Sequence, residues 1–249
     1  MRLLGLFLLA AALCAQQKKI VVIAHRGEHL RNPENTLPAF EEAIRLGADF
    51  IEVDVRTTAD GKLVLMHDDT VDRRTNGKGA VKLLTLEQIR ALDAGAGTRV
   101  PTFDEALGLA RGRIGVYVDV KEAAPQAIVA ALERFDFDDH AVIYGGVPFL
   151  KAVAALKPRL MVMPESVSVA HTRMLVETLR PRVIAFSARD FTDEIIAEAK
   201  HAGVLIYVDR LGRDDNEAAW QDAVDRGADG IQTDRPAELI RYLKSRGYR

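Results

Sequence analysis

Short runs of β-branched and apolar residues, most of them separated by amphipathic stretches, constrain this chain more than any other feature. They are the pattern of βα units laid around a parallel sheet. The runs fall at residues 20–25, 50–55, 63–67, 114–120, 141–144, 160–163, 183–186, 204–208 and 230–233. A closed parallel barrel takes eight strands, so one run is surplus. Asp60-Gly61, between the second and third runs, is a tight-turn dipeptide that leaves no room for the crossover helix a parallel neighbour requires. The third run therefore returns antiparallel. The expected architecture is α/β, a (β/α)8 barrel with a β-hairpin extension after the second strand. Helices are expected at 36–46, 126–135, 193–201 and 216–226. Gly47-Ala48-Asp49 and Gly227-Ala228-Asp229 repeat one sequence at two helix-to-strand joints, where glycine suits the left-handed residue that ends a helix. Residues 69–102 have weaker periodicity and read as an extended loop over the barrel mouth, with a short helix at 86–92.

The 249 residues are 48% hydrophobic and 28% charged, which suits one barrel-sized core and excludes disorder. No linker divides the chain. A net charge of −2 offers no basic surface for a nucleic-acid backbone, so an anionic substrate has to meet local cations in a pocket. The first stretch stands apart: Arg2, an apolar run over 3–13, then small residues at Ala10, Ala12 and Ala15. It reads as a signal peptide over 1–16, leaving a domain of 17–249 exported to a periplasm or beyond the cell. The apolar run is too short for a stable membrane span. A buried amphiphilic first helix is the other reading of the same residues. Cys14, the single cysteine, falls in the leader, so the mature domain has neither disulfide nor thiol nucleophile. Lipid anchoring at Cys14 is disfavoured by Leu13, because the preceding position normally takes a small side chain.

In a parallel barrel the C-terminal strand ends and their loops form the active face. His25-Arg26-Gly27 ends the first strand; either residue, taken alone, could be an ordinary surface group. On the second strand Glu52 and Asp54 are two residues apart and share a face. Two such carboxylates repel and are costly to desolvate unless a cation neutralises them. An outward salt-bridged pair is one solution, and a hard divalent cation is the better one. A hairpin centred on the Asp60–Gly61 bond sets His67 opposite Asp54, and a bulge could slip that register by one. Asp68 is expected to cap the next turn. Asp119 and Lys121 alternate on the third barrel strand, either as a simple ion pair or with Asp119 on the metal and Lys121 on a phosphate oxygen. The set Glu52, Asp54 and Asp119 is all oxygen, which favours Mg²⁺ or Ca²⁺ over zinc. Arg26 and Lys121 would draw charge from phosphoryl oxygens, with His25 and His67 as general base and general acid.

The whole domain resembles the glycerophosphodiester phosphodiesterases. The matching pieces are His25-Arg26-Gly27, Pro33-Glu34-Asn35-Thr36, Ala39-Phe40, Gly47-Ala48-Asp49 with Ile51-Glu52-Val53-Asp54-Val55, Thr58-Ala59-Asp60-Gly61, His67-Asp68, Pro101-Thr102, Gly227-Ala228-Asp229-Gly230-Ile231 and Thr233-Asp234-Arg235-Pro236. The resemblance implies a divalent metal on Glu52, Asp54 and Asp119, acid–base roles for His25 and His67, and phosphate contacts from Arg26 and Lys121. It implies a glycerophosphodiester such as glycerophosphocholine as substrate, with glycerol 3-phosphate and an alcohol as products. In the route often drawn for the family, a substrate hydroxyl attacks phosphorus and water opens the cyclic phosphate that results. Three positions depart from the family's pattern. Asp119 stands where glutamate is usual, Tyr144-Gly145-Gly146 replaces Ser-Phe after the fourth barrel strand, and Tyr207 replaces a common Trp. Tyr144 and Tyr207 are therefore expected to reshape the substrate pocket.

Other residues carry less. His140, His171 and His201 read as surface groups, His29 as part of a solvated loop, and Trp220 as core because Val224 follows at i+4. Phe149 and Phe191 could line the mouth or pack beneath it. Two further functional readings are a phospholipase-D-like lyase acting on lysophospholipid or sphingolipid headgroups, which an apolar rim in the 69–100 loop would favour and of which Val81-Lys82-Leu83-Leu84 is a faint hint, and a barrel that binds glycerophosphodiesters without turning them over. Retention of both His25 and His67 argues against the last.

Overall fold

A computed structural model describes residues 19–249; the leader expected over 1–16, with Cys14, lies outside the described residues. The chain begins with β1 (Val21–Ala24), α1 (Leu37–Leu46), β2 (Phe50–Thr57) and β3 (Leu63–Leu65), followed by α2 (Leu86–Arg90) and α3 (Phe103–Ala110). Strand and helix then alternate: β4 (Gly115–Glu122), α4 (Pro125–Arg134), β5 (Ala141–Tyr144), α5 (Val147–Leu156), β6 (Met161–Met163), α6 (Val169–Leu179) and β7 (Val183–Phe186). The last units are α7 (Asp193–His201), β8 (Leu205–Arg210), α8 (Glu217–Arg226), β9 (Gly230–Thr233) and α9 (Pro236–Ser245). Parallel strands run in the order β6-β5-β4-β2-β1-β9-β8-β7, with β3 paired off the path to β2. Backbone bonds from Ala185 to Pro164 (2.9 Å) and from Ser166 to Ala185 (3.0 Å) join β7 to the end of β6 and close the barrel. The expected (β/α)8 barrel with its hairpin is therefore the fold.

Alternation along the strands sorts side chains into two layers. Val53, Val118 and Ile143 point outward to Phe40, Phe103 and Leu132 of the helices. Val208 and Ile231 do the same against Trp220, Phe191 and Leu239. Trp220 is 2% exposed, as its helical spacing predicts. Phe191 is buried in this layer and Phe149 is half-buried against the other, so both pack beneath the mouth. The lumen is filled lower down by Ile23, Tyr117, Val142, Met163, Val183 and Tyr207. A packed plug of this kind leaves the mouth as the open polar end.

The repeated Gly-Ala-Asp has one physical job at two places. Gly47 and Gly227 take φ of +83° and +93° and end α1 and α8. Asp49 and Asp229 then form two-point clamps on neighbouring strands. Asp49 donates its amide to the Val22 carbonyl and accepts from the Val22 amide, both at 2.9 Å. Asp229 treats Ile206 alike, at 2.7 and 2.9 Å.

The hairpin register differs from the expected one by a residue. Thr58 donates to the Lys62 carbonyl at 2.9 Å, and Gly61 takes φ +74°, so the loop has three residues and is centred on Asp60. Val55 pairs with Leu65, and Met66, not His67, stands opposite Asp54, to which it donates at 2.9 Å. Residues 69–100 are also more organised than their weak periodicity suggests. Val71, Val81, Ile89, Ala94 and Val100 pack with Val64 and Met66 of the hairpin in a small core of their own. α2 and α3 each begin with a Thr–Gln or Thr–Glu capping box, at Thr85 and Thr102.

Candidate active site

His25 leaves β1 with its amide bonded to the Thr233 carbonyl at 3.0 Å, so its position is fixed by the sheet. Its Nδ1 meets Asp234 Oδ1 at 2.7 Å. Burial holds the imidazole below its usual range, with Asp234 opposing and Arg26 assisting. Burial is the largest influence on Asp234 and would raise it, but the His25 hydrogen bond, the Gly212 amide and the charges of His25 and His29 together keep it below the carboxylate range. The next residue turns the chain. Arg26 takes φ +53°, a left-handed conformation uncommon for a residue with a Cβ, and its amide thereby reaches Glu52 Oε2 at 2.8 Å. Gly27 follows at φ +79°, and a Cβ there would lie 2.7 Å from the Ala39 backbone, so His-Arg-Gly needs its glycine for close approach.

Glu52 and Asp54 are each 1% exposed. With Asp119 they bring one carboxylate oxygen apiece within 4.8 Å of one another. Burial, then Asp54 and Asp119, push Glu52 well above the usual carboxylate range. Asp119 is raised too, by burial and Asp54, with Lys121 opposing. Asn35 fixes Asp54 from two sides, donating to its Oδ2 at 2.6 Å and accepting from its amide at 3.1 Å. Asp54 Oδ1 is buried and makes no hydrogen bond; its charged neighbour is the Lys121 ammonium, 3.2 Å away. An all-oxygen set of three clustered carboxylates, one buried oxygen of which lacks a hydrogen bond, fits a hard cation in Mg²⁺ or Ca²⁺ chemistry. The shorter Asp119 still closes the group.

Lys121 sits where the β2–β4 register slips: Val55 pairs with Val120 but Arg56 with Glu122. A bulge of this kind re-aims a side chain beside a site. Its ammonium lies 2.6 Å from Asp119 and 3.2 Å from Asp54. Burial opposes its charge, but the two carboxylates hold its pKa above the usual lysine range. Arg26 approaches Asp54 at 3.2 Å and Glu34 at 3.2 Å.

His67 reaches the mouth from the hairpin side, and its side chain is 36% exposed. Its Nδ1 meets Asp68 at 2.8 Å. Arg73 grips both oxygens of Asp68, at 2.5 and 2.7 Å, and Glu34 at 3.1 Å. Asp68, expected as a turn cap, is held far below the carboxylate range by Arg73 and then by His67. Arg56 donates twice to the His67 carbonyl, at 3.2 and 2.8 Å.

Sequence reasoning missed several members. His29 is no solvated loop residue: its side chain is 17% exposed, 3.4 Å from Asp234, and its Nδ1 meets the His25 carbonyl at 2.7 Å. Its spacing of four from His25 was the available signal. Glu34 is buried among Arg26, Arg73 and Arg74. Tyr144 faces the mouth and donates to Glu165 at 2.6 Å. Tyr207 lies in the lower lumen, where burial raises its hydroxyl to about 12. The β8 side chain nearer the mouth is Asp209, raised to about 7 by burial, then by Glu165, Asp119 and Asp234.

Clustered buried carboxylates fringed by two histidines and two cations, at the C-terminal mouth of a (β/α)8 barrel, define a phosphoric diester hydrolase. The glycerophosphoryl diester phosphodiesterase family matches residues 25–238, and the chain belongs to that family. It is 36% identical over 250 residues to a glycerophosphodiester phosphodiesterase of Caldanaerobacter subterraneus subsp. tengcongensis, covering 92% of this chain and 100% of that relative. Among solved structures, a glycerophosphodiester phosphodiesterase of Agrobacterium tumefaciens superposes with a TM-score of 0.81 at 29% identity, covering 89% of this chain and 99% of that one. A phosphodiesterase of Oleispira antarctica in complex with its product sn-glycerol-3-phosphate shares the fold, with a TM-score of 0.81 at 23% identity over 90% of this chain and 96% of the other.

Proposed function

We propose that this protein hydrolyses glycerophosphodiesters to glycerol 3-phosphate and an alcohol with the help of Mg²⁺ or Ca²⁺, and that it acts after export. The observation that carries the reading is the convergence of Glu52, Asp54 and Asp119 within 4.8 Å, fringed by Arg26, Lys121 and two separately mounted histidines. A divalent ion held by the three carboxylates would polarise a phosphoryl oxygen and neutralise charge developing there. Arg26 and Lys121 lie beside the same carboxylates and would receive the remaining phosphoryl oxygens.

His25 donates Nδ1–H to Asp234 and so keeps a lone pair on Nε2. Burial keeps the ring neutral, which is the state a general base needs. His67, half exposed and oriented by the Asp68–Arg73 pair, takes the opposite role of donating a proton to the leaving oxygen. Purified protein is expected to release glycerol 3-phosphate from glycerophosphocholine, to stop with chelator, and to recover with Mg²⁺ or Ca²⁺. No release with either metal from a folded protein would move the assignment to a lipid substrate or to binding without turnover.

A further inference from the structure

Across the lumen from the metal carboxylates, the strand order sets β8 opposite β4 and β7 opposite β2. That wall carries acceptors in place of ion pairs. Glu165, just past β6, is tied by its backbone to Ala185 and accepts a hydrogen bond from the Tyr144 hydroxyl at 2.6 Å. Asp209, on β8, has neither a hydrogen bond nor a salt bridge among the described residues, because Arg210 beside it turns away to Asp222 and the Ala219 carbonyl. Gln232 pairs in register with Asp209 on one side and Ile23 on the other. It shares a strand face with Gly230, whose Cβ position lies 2.7 Å from the lumen-filling Tyr207 ring, so its side chain points inward. Gln232 is 6% exposed, and its Oε1 is buried with no hydrogen-bond partner.

Buried polar groups in native proteins are almost always satisfied, and an orphan marks a partner still to come. Arg189 at its rim feels Glu165 but is exposed and paired with Asp190; what the inner part of this wall lacks is a donor with positive charge. A hydroxyl would satisfy Gln232 alone, whereas an ammonium would satisfy Gln232 and also neutralise Asp209 and Glu165. Tyr117 and Tyr144, with ring centroids 5.9 Å apart, add aromatic surface beside it. With the phosphate on the Arg26–Lys121 side, one arm of a diester extends toward this wall.

We propose that Glu165, Asp209 and Gln232 form the subsite for the leaving alcohol and select one that carries a primary ammonium, as in an ethanolamine ester. This rests on the diesterase reading of the same mouth. It assigns no new chemical step, only the end of the substrate that the far wall recognises. A quaternary ammonium has the charge but no N–H for Gln232, so it should fit less well.

The test is calorimetric titration of Ca²⁺-loaded His67→Ala protein, in which turnover should be slowed by roughly 10²–10⁴-fold, with the ethanolamine, choline and glycerol diesters of sn-glycerol 3-phosphate. The ethanolamine ester is expected to bind about tenfold tighter than the glycerol ester, with choline between them. That preference should fall to within about twofold when Asp209→Asn and Glu165→Gln are added, and should shrink in Gln232→Leu, a second variant that leaves both carboxylates in place. Equal binding of all three esters, as when a protonated Asp209 closes onto Gln232, overturns the proposal, as does a preference that survives the double substitution. A choline ester bound as tightly as the ethanolamine ester overturns the primary-amine selection. Turnover by the wild-type protein is measured alongside: its absence with the binding preference intact would sink the diesterase reading and leave the subsite standing.

Discussion

His25 and His67 face the same carboxylates from supports of different kinds. His25 is part of the barrel: its amide is bonded to β9, and its partner Asp234 is held by the Gly212 amide at 2.9 Å, while the Asp234 amide is fixed by Asp215 at 2.7 Å. His67 belongs to the hairpin and its small satellite core, and side chains hold it: Asp68, Arg73 and the Arg56 guanidinium. The first mount is dry and main-chain-built, the second half-exposed and ionic. The contrast suits the division of labour proposed for the two rings, a neutral base on the dry mount and an acid on the exposed one.

The largest effect should come from removing the rings. His25→Ala and His67→Ala are each expected to lower kcat by roughly 10²–10⁴-fold in steady-state assays on folded protein. If His67→Ala kept near-normal kcat with the glycerol ester, an acid other than His67 would serve the leaving oxygen and the division of labour would fail. Next in size are the partners that orient the rings. Asp234→Asn should cost roughly 10–100-fold in kcat with little change in KM, because the amide can offer Nδ1 a donor and so turn the wrong nitrogen toward substrate. Arg73→Met loosens Asp68 on the ionic side, where partial exposure screens the pair, so the loss there should be about fivefold at low salt and should shrink as added salt screens the same pair in the wild type. Equal losses at Asp234 and Arg73 would mean that the two mounts are energetically alike.

The two regions also differ in how much of them the sequence carried. Barrel strand ends obey a period of two, so Glu52 could be placed on one face with Asp54, and Asp119 on one face with Lys121, without coordinates; that both faces are the inner one is what the barrel adds. Lys121 was placed for the same reason, although the side chain gets there through a bulge that alternation does not reveal. The insert resisted because its geometry comes from a turn. Asp-Gly signals a hairpin but fits either a two-residue or a three-residue loop, and the difference moved His67 one place along. Its core was also hidden, since Val71, Val81, Ile89 and Val100 follow no period. Glu34, His29 and the far-wall acids escaped for a third reason. Each gains its meaning from partners distant in sequence, as Asp234 is for His29 and Asp119 for Asp209. At Tyr207 and Asp209 the right strand was chosen and the wrong rung: two residues along β8 separate packing in the plug from charge at the mouth.

The smallest effect is on stability, and it follows from how dry the first mount is. Burial, opposed by Asp234 and assisted by Arg26, keeps the folded pKa of His25 below that of the unfolded imidazole, near 6.5. Below that pH the unfolded chain binds a proton that the folded chain refuses. The stabilisation from a neutral His25 is therefore complete above about 6.5 and is lost as pH falls through the window down to the folded value. One such group contributes a slope of at most about 1.4 kcal/mol per pH unit. Urea unfolding of the wild type and His25→Gln between pH 5 and 7 isolates it, because glutamine keeps a donor for Asp234 and cannot titrate. The difference in stability between the two proteins should shift in favour of the variant as pH falls. A difference that stayed flat would mean that His25 gains as much from Asp234 as it loses to burial, and the dry mount would then be no drier than the ionic one.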